Sequence, residues 1–262
     1  MMSQLNAGAA VGTGVLVGGL SRDFADSTVL TGHGHDMGEL KFALSGVMVV
    51  ASTDGYWVVP PGRALWLAPN VRHKVRMLGK VQLRSVFINP DVFPGFPTDS
   101  RMLSVSPLFR EVITAMAITP VRAKPCRRTL LLIDLLLEEV NGYSDLPLHL
   151  PVPRDHRLAR ICSHIQEHLD DMTTLQEWSR DLGYDQRTLH RLFVRELGMS
   201  FIQWRQQAKL LTALEWLAEG RQVLSIALDL GYQTQSAFTA MFRKNLGITP
   251  SDFVKLSQGD GV

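Results

Sequence analysis

Apolar residues recur at every fourth position twice in the last third of the chain. Leu189, Phe193 and Leu197 form one stripe; Phe238, Phe242 and Leu246 form the other. That spacing puts side chains on one face of an amphipathic helix. The stripes belong to a repeat. Leu182-Gly183-Tyr184 returns as Leu230-Gly231-Tyr232. Phe193-x-Arg195-x-Leu197-Gly198-x-Ser200 returns as Phe242-x-Lys244-x-Leu246-Gly247-x-Thr249. Upstream, Thr174-Leu175-Gln176-Glu177 has the form of a capping box, which starts a helix. Leu175, Trp178 and Leu182 follow at helical spacing. Each copy reads as helix, Gly-containing turn and amphipathic helix, the helix-turn-helix pattern.

Phe201 to Ala218 separates the copies, with Trp204, Ala208, Leu211 and Ala218 on one stripe and no Pro or Gly inside. A helix of that length spans ~27 Å. Successive major-groove windows on one face of B-DNA lie roughly 34 Å apart. A rod of this size could present two helices to neighbouring windows. With the stripes turned inward, the first helix exposes Gln186, Arg187, His190, Arg191 and Val194. The second exposes Gln235, Ser236, Thr239, Ala240 and Arg243. Arg pairs bidentately with guanine and Gln with adenine. Arg195, Arg205, Lys209 and Lys244 suit phosphates, which position a protein without specifying sequence. Two Arg and a His on the first helix predict that it carries most of the base discrimination.

Between Leu30 and Pro90 the pattern changes to short runs of period two. Leu40, Phe42 and Leu44 alternate, and so do Val81, Leu83, Ser85 and Phe87. Ala51 to Gly55 reads as a turn between Gly46–Val50 and Tyr56–Val59, and Pro60-Pro61-Gly62 breaks the next run before Ala64–Leu67. Strands at this spacing predict an all-β sandwich or small barrel. His33, His35 and Glu39 share one parity and so one predicted strand face; His73 opens another predicted strand. Three imidazoles and a carboxylate suit Zn, Ni, Fe or Mn. A metal-free effector pocket, or no site at all, are the alternatives. Trp57, Trp66 and Phe42 read as core.

Leu108–Ile118 and Arg127–Val140 read as helices. The second is apolar nearly all round, so more than one side must be covered. Gly142 to Arg154 carries Pro147, Pro151 and Pro153, which argues for a semi-stiff linker without regular structure. The boundary falls near residue 150. Residues 1–150 form the sensor domain and 151–262 the helical one. Met1 to about Thr13 reads as a flexible start.

Net charge is +2 over 262 residues. From Asp155 onward twelve Arg and Lys face thirteen Asp and Glu, so any polyanion-binding surface must come from local placement. Cys126 and Cys162 lack metal or redox spacing. With no secretory signal recognised, they point to a reducing cytoplasm, and no membrane span is expected.

Residues 174–253 resemble the DNA-binding domain of AraC/XylS-type transcription regulators. The second copy carries the likeness: Ile226-Ala227-x-x-x-Gly231-Tyr232-x-x-x-Ser236-x-Phe238-x-x-x-Phe242-Arg243-Lys244-x-x-Gly247-x-Thr249-Pro250-x-x-Phe253. The family usually has Arg just after the final aromatic; here Val254 and Lys255 follow. His33-x-His35-x3-Glu39-x6-Gly46 is similar to the first cupin motif, and Gly62 with Pro69-x-x-x-His73 is an approximate second one. The resemblance implies metal ligation at His33, His35, Glu39 and His73, and dimerisation in the region of the Arg127–Val140 helix. The expected fold is α+β in two domains: a cupin-like barrel with flanking helices, then an all-α double helix-turn-helix. The expected function is a non-enzymatic, sequence-specific DNA-binding regulator answering to a small molecule or metal. Its partners would be double-stranded DNA, the effector, a second copy of the chain and RNA polymerase. The alternative is a metal-dependent cupin enzyme with a helical appendage.

Overall fold

The computed structural model describes residues 17–53, 55–120, 125–142 and 148–259. The proposed flexible start lies outside them. The chain divides into two compact units between Leu148 and His149, with short exchanges at residues 54–56 and 255–262.

The N-terminal unit opens with β1 (Val17–Phe24), β2 (Val29–His33), β3 (Gly38–Ala43), β4 (Val47–Ser52) and β5 (Gly55–Val59). It continues with β6 (Arg63–Leu67), β7 (His73–Leu78), β8 (Val81–Ile88) and β9 (Arg101–Ser104). Two helices follow, α1 (Pro107–Ala117) and α2 (Arg127–Gly142). One sheet has the order β1-β8-β3-β6-β9, and a second sheet carries β5-β4-β7-β2 within this unit. The described neighbours pair antiparallel.

β3 explains how the unit is layered. All six of its residues are buried, so both faces of the strand are covered. Leu40 and Phe42 share a core with Trp66, Phe109, Ile113 and Leu136, which places α1 and α2 on that face. Glu39 and Lys41 alternate with them and face the opposite way. Trp66 lies so close to β3 that a Cβ at Gly38 would sit 2.2 Å from its ring. Only glycine fits there, directly before Glu39. In α2 the buried stripe is Thr129, Ile133, Leu136 and Val140, while Leu130 and Leu131 are exposed.

The second unit contains β10 (His149–Pro151), α3 (His156–Glu167), α4 (Leu175–Leu182), α5 (Gln186–Leu197) and α6 (Phe201–Ala218). The chain closes with α7 (Val223–Asp229), α8 (Gln235–Leu246) and α9 (Pro250–Gln258). The linker expectation needs correcting. Residues 148–154 are not a plain spacer, because β10 is a strand and the residues after it are tied down. Trp204 Nε1 donates to Pro151 O at 3.3 Å. The main-chain N–H groups of Arg154 and Asp155 both donate to Glu196 on α5. Proline removes one donor per residue but leaves its carbonyl and its neighbours able to pair. Residues 143–147 lie outside the described part.

The repeat is visible in the helices. α5 and α8 are both twelve residues long and both end on glycine in the left-handed region, Gly198 and Gly247. The capping box is present at Thr174 and Glu177, and a second one forms at Ser200 and Gln203.

Candidate metal centre and nucleic-acid interface

His33 and His73 are register partners on β2 and β7, so their rings lie side by side with centroids 4.3 Å apart. Glu39 reaches them from β3 in the other sheet. One ligand atom from each of His33, Glu39 and His73 lies within 4.8 Å of the others. Parity predicts one strand face for His33, His35 and Glu39. That route is wrong: β2 ends at His33, and Glu39 belongs to a strand of the opposite sheet. The residues converge across the two sheets instead. His35, in the crossing segment, stands beside the triad. Its Nε2 is 3.0 Å from Glu39 Oε2, but its ring centroid is 6.4 Å from that of His33.

The main chain orients the imidazoles. His33 Nδ1 faces Thr31 O at 2.9 Å, His35 Nδ1 faces Met37 O at 2.6 Å, and His73 Nδ1 faces Val71 O at 3.0 Å. A carbonyl only accepts, so each Nδ1 carries the proton. This is how second-sphere groups fix metal-ligating histidines, leaving Nε2 as the ligand atom. His73 Nε2 is buried without a hydrogen-bond partner, 3.5 Å from Glu39 Oε2. The donor set therefore fits a divalent transition ion.

Sequence reasoning missed Lys41. It is 2% exposed, and its Nζ lies 2.5 Å from Glu39 Oε1. A charged pair at i, i+2, Glu39 and Lys41, alternating with the apolar Leu40 and Phe42, was the available signal. Burial alone would raise the Glu39 pKa, but the Lys41 ammonium and the neighbouring His35 and His73 imidazoles outweigh it and hold the carboxyl well below its ordinary range. Burial lowers the His33 pKa, against the hydrogen bond to Thr31.

In the helical unit Leu189, Phe193 and Leu197 are buried on α5, and Phe238 and Phe242 on α8. The opposite faces are open. Gln186, Arg187, His190, Arg191 and Arg195 are exposed on α5. Gln235, Ser236, Arg243 and Lys244 are exposed on α8, with Thr239 half-buried. A groove along α8 is lined by Gln235, Ser236, Thr239, Arg243 and Thr249. Another along α5 is lined by Thr188, His190, Arg191 and Arg195. Asp185 caps α5 by accepting from the N–H groups of Arg187 and Thr188. Arg205 is half-buried, and its Nη1 donates to Thr173 O at 3.0 Å.

Lys209, expected on a phosphate, is instead 6% exposed, and its Nζ donates to Leu230 O at 2.7 Å. The ammonium secures the end of α7, and loss of hydration, with help from Arg205, lowers its pKa. Periodicity had placed it on α6 without showing which helices cover that side.

Residues 17–171 match the AraC-like ligand binding domain, and residues 178–255 match a helix-turn-helix domain. The chain is 35% identical over 224 residues to the HTH-type transcriptional regulator NimR of Escherichia coli (strain K12), covering 85% of this chain and 81% of that protein. It is 27% identical over 171 residues to the arabinose operon regulatory protein of the same organism, covering 64% and 56%. The regulatory protein SoxS of that organism is 33% identical over 94 residues, covering 36% of this chain and 88% of its own. Among the described residues, no helix is long and apolar enough to cross a membrane.

Proposed function

This chain belongs to the AraC family of DNA-binding transcription regulators that carry a ligand-binding domain, and on that premise we propose how it divides the work. Residues 1–150 sense the effector, and residues 151–262 read the operator. The observation that carries this is the sidedness of α5 and α8: apolar stripes buried, Arg, Gln, His and Lys exposed. α5 reads base edges with Gln186, Arg187, His190 and Arg191. α8 reads with Gln235, Ser236, Thr239 and Arg243. Arg195 and Lys244 hold phosphates, and Arg205 helps from its half-buried position. α5 supplies most of the discrimination, since each Arg can form a bidentate pair with guanine.

His33, His73 and Glu39, with His35 beside them, hold a divalent ion of the Zn, Ni, Fe or Mn class. Such an ion would be the signal itself or would supply Lewis acidity toward an effector oxygen. Effector and DNA then change each other's affinity by the same factor. The active species is a homodimer that uses the open side of α2, where Leu130 and Leu131 are exposed. RNA polymerase is the further partner and the cytoplasm the site of action. The role is regulatory rather than catalytic, in keeping with the transcriptional regulator NimR among its relatives.

Titration of full-length protein into operator-length duplex at several salt concentrations tests the reading. A log–log slope well below zero and selection of one sequence support it. Equal affinity for all duplexes overturns it. Metal content of purified protein, with His73→Ala as control, tests the ion site.

A further inference from the structure

Reading the His33/Glu39/His73 cluster as an ion site leaves one cation to explain. Lys41 lies in the same buried layer, with its ammonium on Glu39 Oε1. Glu39 is thus wanted by two cations, one of them built into the chain. Two positive charges around one carboxylate repel, and burial leaves little water to screen them. The ammonium must move away, or the ion binds weakly.

The register of β3 and β8 provides somewhere for it to go. Lys41 stands directly opposite Ser85. Directly paired residues point to the same face, with Cβ atoms about 5 Å apart. Ser85 is fully buried, and its Oγ makes no hydrogen bond. A buried hydroxyl without a partner is uncommon and calls for an explanation. Its oxygen can accept from an ammonium, and the flexible lysine stem can swing across the strand pair.

Resting on the metal reading above, we propose that Lys41 alternates between two acceptors, Glu39 when no ion is held and Ser85 when one is, and so sets the affinity of the site for divalent ions. Lys41 is a built-in competitor, and Ser85 is the position that relieves the competition. The two residues therefore act with opposite signs, which a purely structural role for either would not produce.

The test is chelator-competition titration of zinc(II) into the full chain, with thermal melts in the absence of added metal. Lys41→Met should bind one equivalent about tenfold tighter than wild type, a range typical of residues just outside a metal's ligands. Ser85→Ala should bind several-fold weaker. Lys41→Met combined with Ser85→Ala should match Lys41→Met alone, because Ser85 acts only through the ammonium. Equal or weaker binding by Lys41→Met overturns the proposal, as does a Ser85→Ala loss of the same size in both backgrounds. If the melts show that Lys41→Met does not fold, Ser85→Ala decides: unchanged affinity rejects the exchange. His73→Ala reports zinc held elsewhere. If wild type retains no more zinc than His73→Ala, the metal reading itself falls, and this proposal with it. If wild type holds its equivalent but the variants rank otherwise, only the exchange falls.

Discussion

The cluster around Glu39 and the outer faces of α5 and α8 use the same residue types in opposite ways. Around Glu39 the ionised pair is buried and every group is fixed by a named partner: Lys41 by Glu39, and three imidazoles by three carbonyls. On α5 and α8 the charged side chains stand in solvent on a rigid helical base. The first arrangement is organised before its ligand arrives and is costly to disturb. The second costs the fold little and is free to meet a polyanion. Buried charge is held for geometry and exposed charge for encounter, and the two should answer differently to salt, acid and truncation.

Salt should separate them most. A protein neutralising six or more phosphates loses roughly a thousandfold in duplex affinity between 50 and 200 mM salt. Zinc affinity at the buried cluster should change far less over that range, because buried pairs are poorly screened. Fluorescence anisotropy with labelled duplex, beside chelator competition, measures both. Parallel losses would mean that the cluster is not the zinc site.

Truncation comes next. Glu39→Ala strands Lys41 in the interior without its acceptor, and breaking a buried pair in this way costs about 3–5 kcal/mol. Arg191→Ala should leave stability within about 0.5 kcal/mol. Chemical denaturation followed by tryptophan fluorescence checks both. Acid adds a sign. Burial pushes the Glu39 pKa up, but Lys41, His35 and His73 overcome it, so the folded value lies below the ordinary 4.5. Its contribution is then complete above the unfolded value and is lost as pH falls through the folded one. Glu39→Gln should flatten that part of the stability profile.

How far each region could be read from sequence follows from what encodes it. α5, α6 and α8 are written in local spacing. Leu189/Phe193/Leu197 and the two Gly-Tyr turns specify both helix and face, and α6 spans the expected Phe201–Ala218. The cluster is written in long-range pairing. Parity counted from His33 reaches Glu39, but it could not show that the chain leaves one sheet after His33 and enters the other at Gly38. Lys41 was overlooked because a lysine between apolar residues usually reads as a solvent position. Its burial depends on the strands and helices that cover β3. Lys209 fails for the same reason in reverse: its helix was legible, but the elements packed against that side of α6 were not.

Base discrimination tests the comparison inside the helical unit. Each well-made bidentate contact contributes about 1–3 kcal/mol against a wrong base. Arg187→Ala and Arg191→Ala should each relax the preferred sequence more than Gln235→Ala or Arg243→Ala. Selection from a randomised duplex library, sequenced before and after binding, ranks them. The reverse order would move the reading function to α8.

Lys209→Met should have the smallest effect on DNA binding and bears on the boundary between the two kinds of charge. Its ammonium donates to Leu230 O and lies 5.5 Å from the Tyr232 ring centroid, and the Tyr232 hydroxyl accepts from Gln206. Methionine keeps most of the stem's packing and removes only the donor. The orphaned carbonyl costs about 1–3 kcal/mol of stability. The salt slope of duplex binding should stay unchanged, because a buried ammonium pointing at a carbonyl displaces no counterion. Arg195→Ala, by contrast, should reduce that slope by about one. A matching reduction for Lys209→Met would mean that the side chain leaves Leu230 on DNA and belongs with the exposed charges after all.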